Sequence, residues 1–208
     1  EEEEEEGEEE SDERAAEEGM ERLRLWLGHN DPSLQAAADG REPFPTLSPA
    51  LLPPLLDELR NIQTMASLRP ADRVLILLGA LFTDALVERK EIRMHSKYLS
   101  ALSTSTIQQR HLIAAFEWLC GTKYPAKARY FAVVLKDLLE EELVEEDVFL
   151  EWAADLTRNE YSAQTMVCLD TLEVLKGAAA PFVTWLQEAE EEGESGEEDE
   201  DEDEEEEG

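Results

Sequence analysis

The sequence has only three histidines and two cysteines in 208 residues. His29, His95 and His111 stand apart from one another and from Cys120 and Cys168, so no zinc-ligand spacing forms and no metal site is expected. The patterns G-x-x-x-x-G-K-S/T, G-x-G-x-x-G and G-x-S-x-G are missing, which removes phosphate-cradling loops and nucleophile elbows as expectations. No cofactor is implied. No apolar run reaches the roughly 18 residues that a membrane span requires. No apolar–polar alternation bounded by hairpin turns marks a strand. Basic residues are scarce: 18 Lys and Arg face 52 Asp and Glu, a formal charge of −34. Phosphate-rich partners and anionic membranes are repelled by such a chain, so direct RNA binding and membrane docking are disfavoured. A basic protein segment is the partner that this charge attracts.

What the sequence does contain is acid at its ends and helix signals between them. Residues 1–21 carry 14 acids and residues 188–208 carry 16. Runs of this kind bury nothing and repel themselves, which predicts disorder over 1–19 and 193–208. The chain opens within an acid run and without an initiator Met, as expected of a fragment. A short helix at 20–27, a second around 31–40 and a Pro-rich connector occupy 20–49. A folded domain follows over 50–192. ADRVLILLGALFTDALVERK is expected as one apolar helix of about five turns. Thr104 or Ser105 is an N-cap candidate, Gly121 a helix stop and Pro125 a start. EEDVFLEWAADL, SAQTMVCLDTLEVLKG and AAPFVTWLQEAEEE complete the helices. Short connections between many helices predict an all-α stack of antiparallel pairs, an α-solenoid. Cys120 and Cys168, in WLCG and MVCL, are expected as buried free thiols of a reducing compartment, with a disulfide the alternative.

Acid pairs abound, but at this density pairing is inevitable, and a catalytic carboxylate needs a buried, tuned setting. One pattern is less generic. Phe149-x-x-Trp152 in VFLEWAAD recurs as Phe182-x-x-Trp185 in PFVTWLQE, each pair on one helix face. The first face continues to Leu156 and the second to Ala189. Acids wrap both: Glu145, Glu146, Asp147 and Glu151 around the first, and Glu188, Glu190, Glu191 and Glu192 around the second. Both tryptophans are expected to anchor in the core while the carboxylates face outward. Charge also segregates along the chain. Residues 69–136 hold 11 basic and 5 acidic side chains, whereas residues 137–208 hold 2 and 28. That contrast suggests a second, basic face made by Arg89, Lys90, Arg93, Lys97, Arg110, Lys123, Lys127 and Arg129.

LKDLLEEELVEEDVFLEW followed by PFVTWLQEAEEE and an acidic end resembles the C-terminal domain of eukaryotic translation initiation factor five. VLILLGALF and RHLIAAFEWL are similar in a less specific way, and the resemblance covers about residues 50–192. It implies a HEAT-like stack and a cytoplasmic, non-enzymatic hub. In that family two aromatic/acidic boxes bind the lysine-rich segment of the beta subunit of initiation factor two. The domain also contacts initiation factors one and three and helps assemble the 40S preinitiation complex. Carried over residue by residue, the first box falls on Glu145, Glu146, Asp147, Phe149, Glu151 and Trp152. The second falls on Phe182, Trp185, Glu188, Glu190, Glu191 and Glu192.

The family's zinc ribbon and GTPase-activating module have no counterpart in these residues, which contain no CxxC pair. Relatives with the same domain leave two alternatives: the nucleotide-exchange epsilon subunit and a regulatory mimic of factor five. An acidic chaperone of histones or ribosomal proteins, working through its tail, is a third reading. Ser195 in ESGEED has the acid flanks that acidophilic kinases favour.

Overall fold

The computed structural model describes the backbone of residues 2–155 and 167–197, with side chains over 14–155 and 167–189. Among them every regular element is helical. Helix α1 runs over Glu2–Asn30, far longer than the expected 20–27. The sequence assigns 1–19 to disorder, yet Ala16 is buried and continues a stripe with Met20, Leu23 and Leu27. Spacings of four, three and four place these side chains on one helix face. Glutamate is itself a good helix former, so the acid run can extend a helix that the stripe anchors.

A 3-10 turn at Pro32–Leu34 and the short α2, Gln35–Ala38, fold back on α1. Asp31 caps that turn by accepting from the Ser33 N–H at 3.0 Å. Helix α3, Leu52–Met65, opens with prolines, whose missing N–H groups cost nothing in a first turn. It buries Leu55, Leu59 and Ile62. Helix α4, Asp72–Leu81, lies at the centre and packs on α1, α3 and α6. Gly79 permits the close approach of α1, because a Cβ there would overlap the Met20 side chain.

The expected five-turn helix stops at Leu81, and Phe82 is extended. Side chains from elsewhere satisfy the backbone groups freed by the break. Glu91, buried, takes the Thr83 N–H at 2.8 Å and its hydroxyl at 2.6 Å. Arg24 donates to the carbonyls of Gly79 and Ala80, and the Tyr124 hydroxyl donates to Phe82 O at 3.0 Å. Propensity along 71–90 favours helix, but this set of tertiary partners outweighs it.

Helix α5 spans Glu91–Ser100 and α6 spans Thr106–Trp118. Ser105 is the N-cap of α6 and accepts from the Gln108 N–H. Gly121 does not stop that helix. A π turn carries it over Leu119–Lys123. Gly121 is instead a point of contact, since a Cβ there would press on Thr171 and Leu175. A 3-10 segment at Pro125–Tyr130 leads into α7, Phe131–Glu140.

Leu143 N–H bonds Leu138 O and Glu142 N–H bonds Leu139 O, with Glu142 at a φ of 55°. This Schellman turn redirects the chain into α8, Glu146–Ala154. The two helices expected at the C-terminal end are one, α9, over Leu169–Glu197, with Pro181 inside it. The described backbone is therefore helical through Gly193 and Ser195, where the sequence predicts an unfolded tail. Residues 162–166 of SAQTMVCLDTLEVLKG, and Leu156, lie outside the described residues.

Helices two apart in the chain stack on one another, α4 on α6, α6 on α8, α5 on α7 and α7 on α9, and α9 also packs on α8. One hydrophobic core runs from Ala16 to Leu186. Cys120 is buried within it and its thiol is pushed up to about 12 by burial, whereas Cys168 is exposed rather than buried; both are free thiols.

His95 is fully buried, edge-on to Phe82 at 5.5 Å, and neither ring nitrogen has a hydrogen-bond partner. Burial pushes its pKa down to about 4. Below pH 6.5 the unfolded chain takes up a proton that the folded ring refuses, so stability falls as pH drops from there to about 4. His95→Leu removes both the orphaned nitrogens and the titration. The variant is expected to gain about 1–3 kcal/mol at pH 7 and more at pH 4.5, read from urea midpoints.

Candidate protein-binding site

The first aromatic/acidic box is helix α8 together with the residue before it. Glu145 is extended (φ −75°, ψ 152°) and sits at the N-cap position. Its own side chain does not cap the helix. Gln109 of α6 clamps it from both sides: Gln109 Nε2 donates to Glu145 Oε1 at 3.1 Å, and Glu145 N–H donates to Gln109 Oε1 at 3.0 Å. Glu146 and Asp147 follow in the first turn, where the positive end of the helix dipole favours carboxylates. Glu145, Glu146, Asp147 and Glu151 are all exposed, while Phe149 and Trp152 are buried. The helix thus fixes a ridge of carboxylates by burying the aromatic pair beneath it.

Trp152 is held on three sides. Its indole Nε1 donates to Glu117 Oε1 of α6 at 2.7 Å. Its ring lies 5.9 Å from that of Phe131 on α7. Lys176 of α9 lies over the ring at 5.4 Å and donates to Trp152 O at 3.1 Å. Arg110 of α6 closes the far end of α8 by pairing with Asp155 at 2.9 Å, with Glu151 at 4.0 Å.

The two boxes touch. Phe182 of α9 meets Phe149 edge-on at 5.1 Å, and both rings are buried. Phe182, with Leu175, Ala179 and Leu186, forms the inward stripe of α9. Trp185 does not join it. The sequence predicts an inward anchor, but Trp185 is 48% exposed, against 4% for Trp152. Its ring lies 6.0 Å from Phe182 and otherwise looks outward. The physical reason is angular. Leu186 takes the next inward position, so its neighbour Trp185 is turned about 100° away. Glu188 is exposed one turn further on. The side chains of Glu190, Glu191 and Glu192 lie outside the described ones.

The expected basic face separates into two groups. Arg93 and Lys97 are exposed on one face of α5, beside exposed Arg89 and Lys90, the residues just before the helix. Arg93 reaches Glu141 at 3.6 Å, and Arg89 is 3.9 Å from buried Glu91. Arg129 is exposed and stacks on Tyr130 at 4.6 Å. Lys127 pairs with Glu88 at 2.6 Å. Arg110 is not part of this face, because it is 10% exposed and belongs to the acidic box. Lys123 is turned to Gly79 O and the Trp118 ring, and burial pushes its pKa down to about 8. Spacing along the sequence could not separate cations that solvate a helix from those that cap one.

Sequence reasoning missed Gln109, Glu117, Asp155 and Lys176. Glu117 alone left a signal, as a carboxylate inside the apolar run LIAAFEWL. Burial pushes its pKa up to about 7, against the opposing pull of the Trp152 hydrogen bond, Lys176 and Arg110. Among the described residues no group of His, Cys, Asp and Glu is placed to hold a metal ion.

This arrangement has counterparts in known proteins. Residues 108–196, which contain both boxes, match the family described as W2: eIF4-gamma/eIF5/eIF2-epsilon. The stretch is similar to W2 domains. Over 142 residues the chain is 33% identical to the probable eukaryotic translation initiation factor 5-2 of Arabidopsis thaliana, covering 66% of this chain and 30% of that protein. It is 28% identical over 119 residues to the probable eukaryotic translation initiation factor 5 of Schizosaccharomyces pombe, covering 57% and 28%. The solved structure "The C-terminal Domain of Translation Initiation Factor 5 at low pH" superposes with a TM-score of 0.61 at 21% identity, over 86% of this chain and 96% of that one. The chain is therefore similar to the C-terminal domain of initiation factor 5, and its fold is the expected HEAT-like helical stack. It spans less than a third of the length of these curated relatives.

Glu117 makes the site pH-sensitive. Between about pH 4.5 and 7 the folded carboxyl keeps a proton that the unfolded chain releases, so stability falls as pH rises through that window. The loss amounts to at most roughly 3 kcal/mol. Glu117→Gln keeps an oxygen for the Trp152 N–H and cannot titrate. It is expected to match the parent near pH 4.5 and exceed it at pH 8 in urea midpoint. Parallel profiles for the two proteins would rule the assignment out.

Proposed function

We propose that this chain is a non-catalytic scaffold of translation initiation whose two boxes receive a lysine-rich protein segment. The observation that carries the reading is the junction of α8 and α9. Phe149 and Phe182 join the boxes through one buried ring contact, and exposed carboxylates stand on both helices above it. Each exposed ion pair contributes below about 1 kcal/mol, so affinity must come from many acting together. Such a surface gives fast, salt-sensitive association.

The similarity to initiation factor 5 supports a role in initiation, and the candidate partners are those that the family resemblance implies. The lysine-rich segment of the beta subunit of initiation factor two is the partner for Glu145, Glu146, Asp147, Glu151 and Glu188 to Glu192. Initiation factors one and three fit as further partners within a cytoplasmic 40S preinitiation complex. The exposed cations Arg89, Lys90, Arg93, Lys97 and Arg129 offer them an oppositely charged face. No described helix is long and apolar enough to cross a membrane.

One observation favours a second reading. The matched family description also names eIF2-epsilon. A nucleotide-exchange role predicts that this chain alone accelerates GDP release from initiation factor two, and a scaffold predicts none.

Charge reversal of Glu145, Glu146 and Asp147 to Lys is expected to weaken binding of a lysine-rich peptide at least tenfold and to flatten its salt dependence. Isothermal titration reads the affinity, and circular dichroism checks that α8 survives. Unchanged affinity with the fold intact would overturn the scaffold reading.

A further inference from the structure

Helix α9 has a second apolar stripe besides its buried one. Val174, Ala178, Pro181 and Trp185 follow one another at spacings of four, three and four, on a side about 100° from Leu175, Ala179, Phe182 and Leu186. Val174 is 59% exposed and Trp185 48%. Two larger exposed side chains thus stand at the ends of a stretch of small ones, of which Ala178 packs partly on the core, and they bound a shallow trough about three turns long. Asp170 and Glu188 are exposed just beyond its two ends. Lys176 is the only cation on α9, and it is turned away to Trp152.

We propose that this trough docks an amphipathic cationic segment, with aromatic or aliphatic side chains at helical spacing between its lysines or arginines. The inference rests on the scaffold reading and narrows it, since a bare lysine tract has nothing to place on Val174 and Trp185. Charge complementarity selects the occupant. Acids stand at both ends of the trough and in quantity along the rest of α9, so an apolar segment without cations leaves them unmatched. A second copy of the chain is disfavoured for the same reason, because two such helices would bring like charges together. A helix laid on the trough would use the residue pattern of helix-in-groove recognition, with anchors at i, i+4 and i+7.

The test uses the full 208-residue chain and two synthetic peptides of equal length and charge. One is lysine interspersed with serine and glycine. The other carries leucine and phenylalanine at i, i+4 and i+7. The amphipathic peptide is expected to bind at least tenfold more tightly and to shift the indole N–H resonance of Trp185. Trp185→Ala combined with Val174→Ser should erase that advantage, and Val174→Ser alone, outside both boxes, should reduce it at least twofold while leaving the affinity for the lysine–serine peptide within twofold. Val174 is more than half exposed and Trp185 nearly so, so the fold is expected to tolerate the change, and Trp185→Phe should restore part of the advantage. Equal affinity for the two peptides would overturn the trough while leaving the scaffold reading intact. Failure of both peptides to bind would overturn both. An advantage that survives the double variant, or a dimer in sedimentation that the variant abolishes, would also sink the trough.

Discussion

The bond from the Trp152 indole to the Glu117 carboxyl is the contact on which the acidic surface depends. An aromatic ring supplies the burial that holds a short helix, but its N–H cannot be left without an acceptor in the core. Glu117 meets that need at 2.7 Å. It could do so as an ion only at a heavy desolvation cost, so the buried carboxyl moves towards its neutral form. The result is an inversion of chemistry across one helix. The carboxyl beneath α8 favours keeping its proton, and the exposed carboxylates above it stand in water.

That inversion explains what could and could not be read from the residues. Burial of Phe149, Trp152 and Phe182 followed from apolar spacing alone, as did the all-helical class. The exposed acids of the first box followed from the same helix. What failed were places where tertiary partners or geometry overrode local pattern. VLILLGALF promised a long helix, but Glu91, Arg24 and Tyr124 satisfy backbone groups at its break. Gly121 looked like a stop, but it lies in the π turn that continues α6, where the chain meets α9. Trp185 repeated the local motif of Trp152 without its surroundings. No acceptor like Glu117 could be inferred for either tryptophan from spacing within its own helix, because the acceptor lies 35 residues away from Trp152.

Two titratable groups of the core push in opposite directions and share one cause. His95 resists gaining a proton and Glu117 resists losing one, because the interior favours whichever form is neutral. Both are unfavourable between about pH 4.5 and 6.5, where the unfolded His is charged and the unfolded Glu is ionised. At these two positions the core trades stability at mildly acid pH for groups that carry no charge. In a chain of net charge −34, which already repels itself, that neutrality limits the number of charges that the fold must bury.

The two boxes differ in how firmly their acids are held. In the first, Glu146 and Asp147 stand at a helix N-terminus, where the dipole favours them, and Gln109 fixes the entry. In the second, the acids lie towards the C-terminal end of α9, where the dipole opposes them and no basic residue occupies the last turn. Like charges at i, i+4 add to that penalty. A cation arriving at the second box relieves both effects, whereas at the first it must compete with a dipole that is already satisfied. On the proposed scaffold reading, binding at the second box would be coupled to helix formation in α9, while the first would offer a surface that is set before the partner arrives. A partner that engages both boxes meets a rigid ridge and, beside it, a helix end that gains stability from being bound.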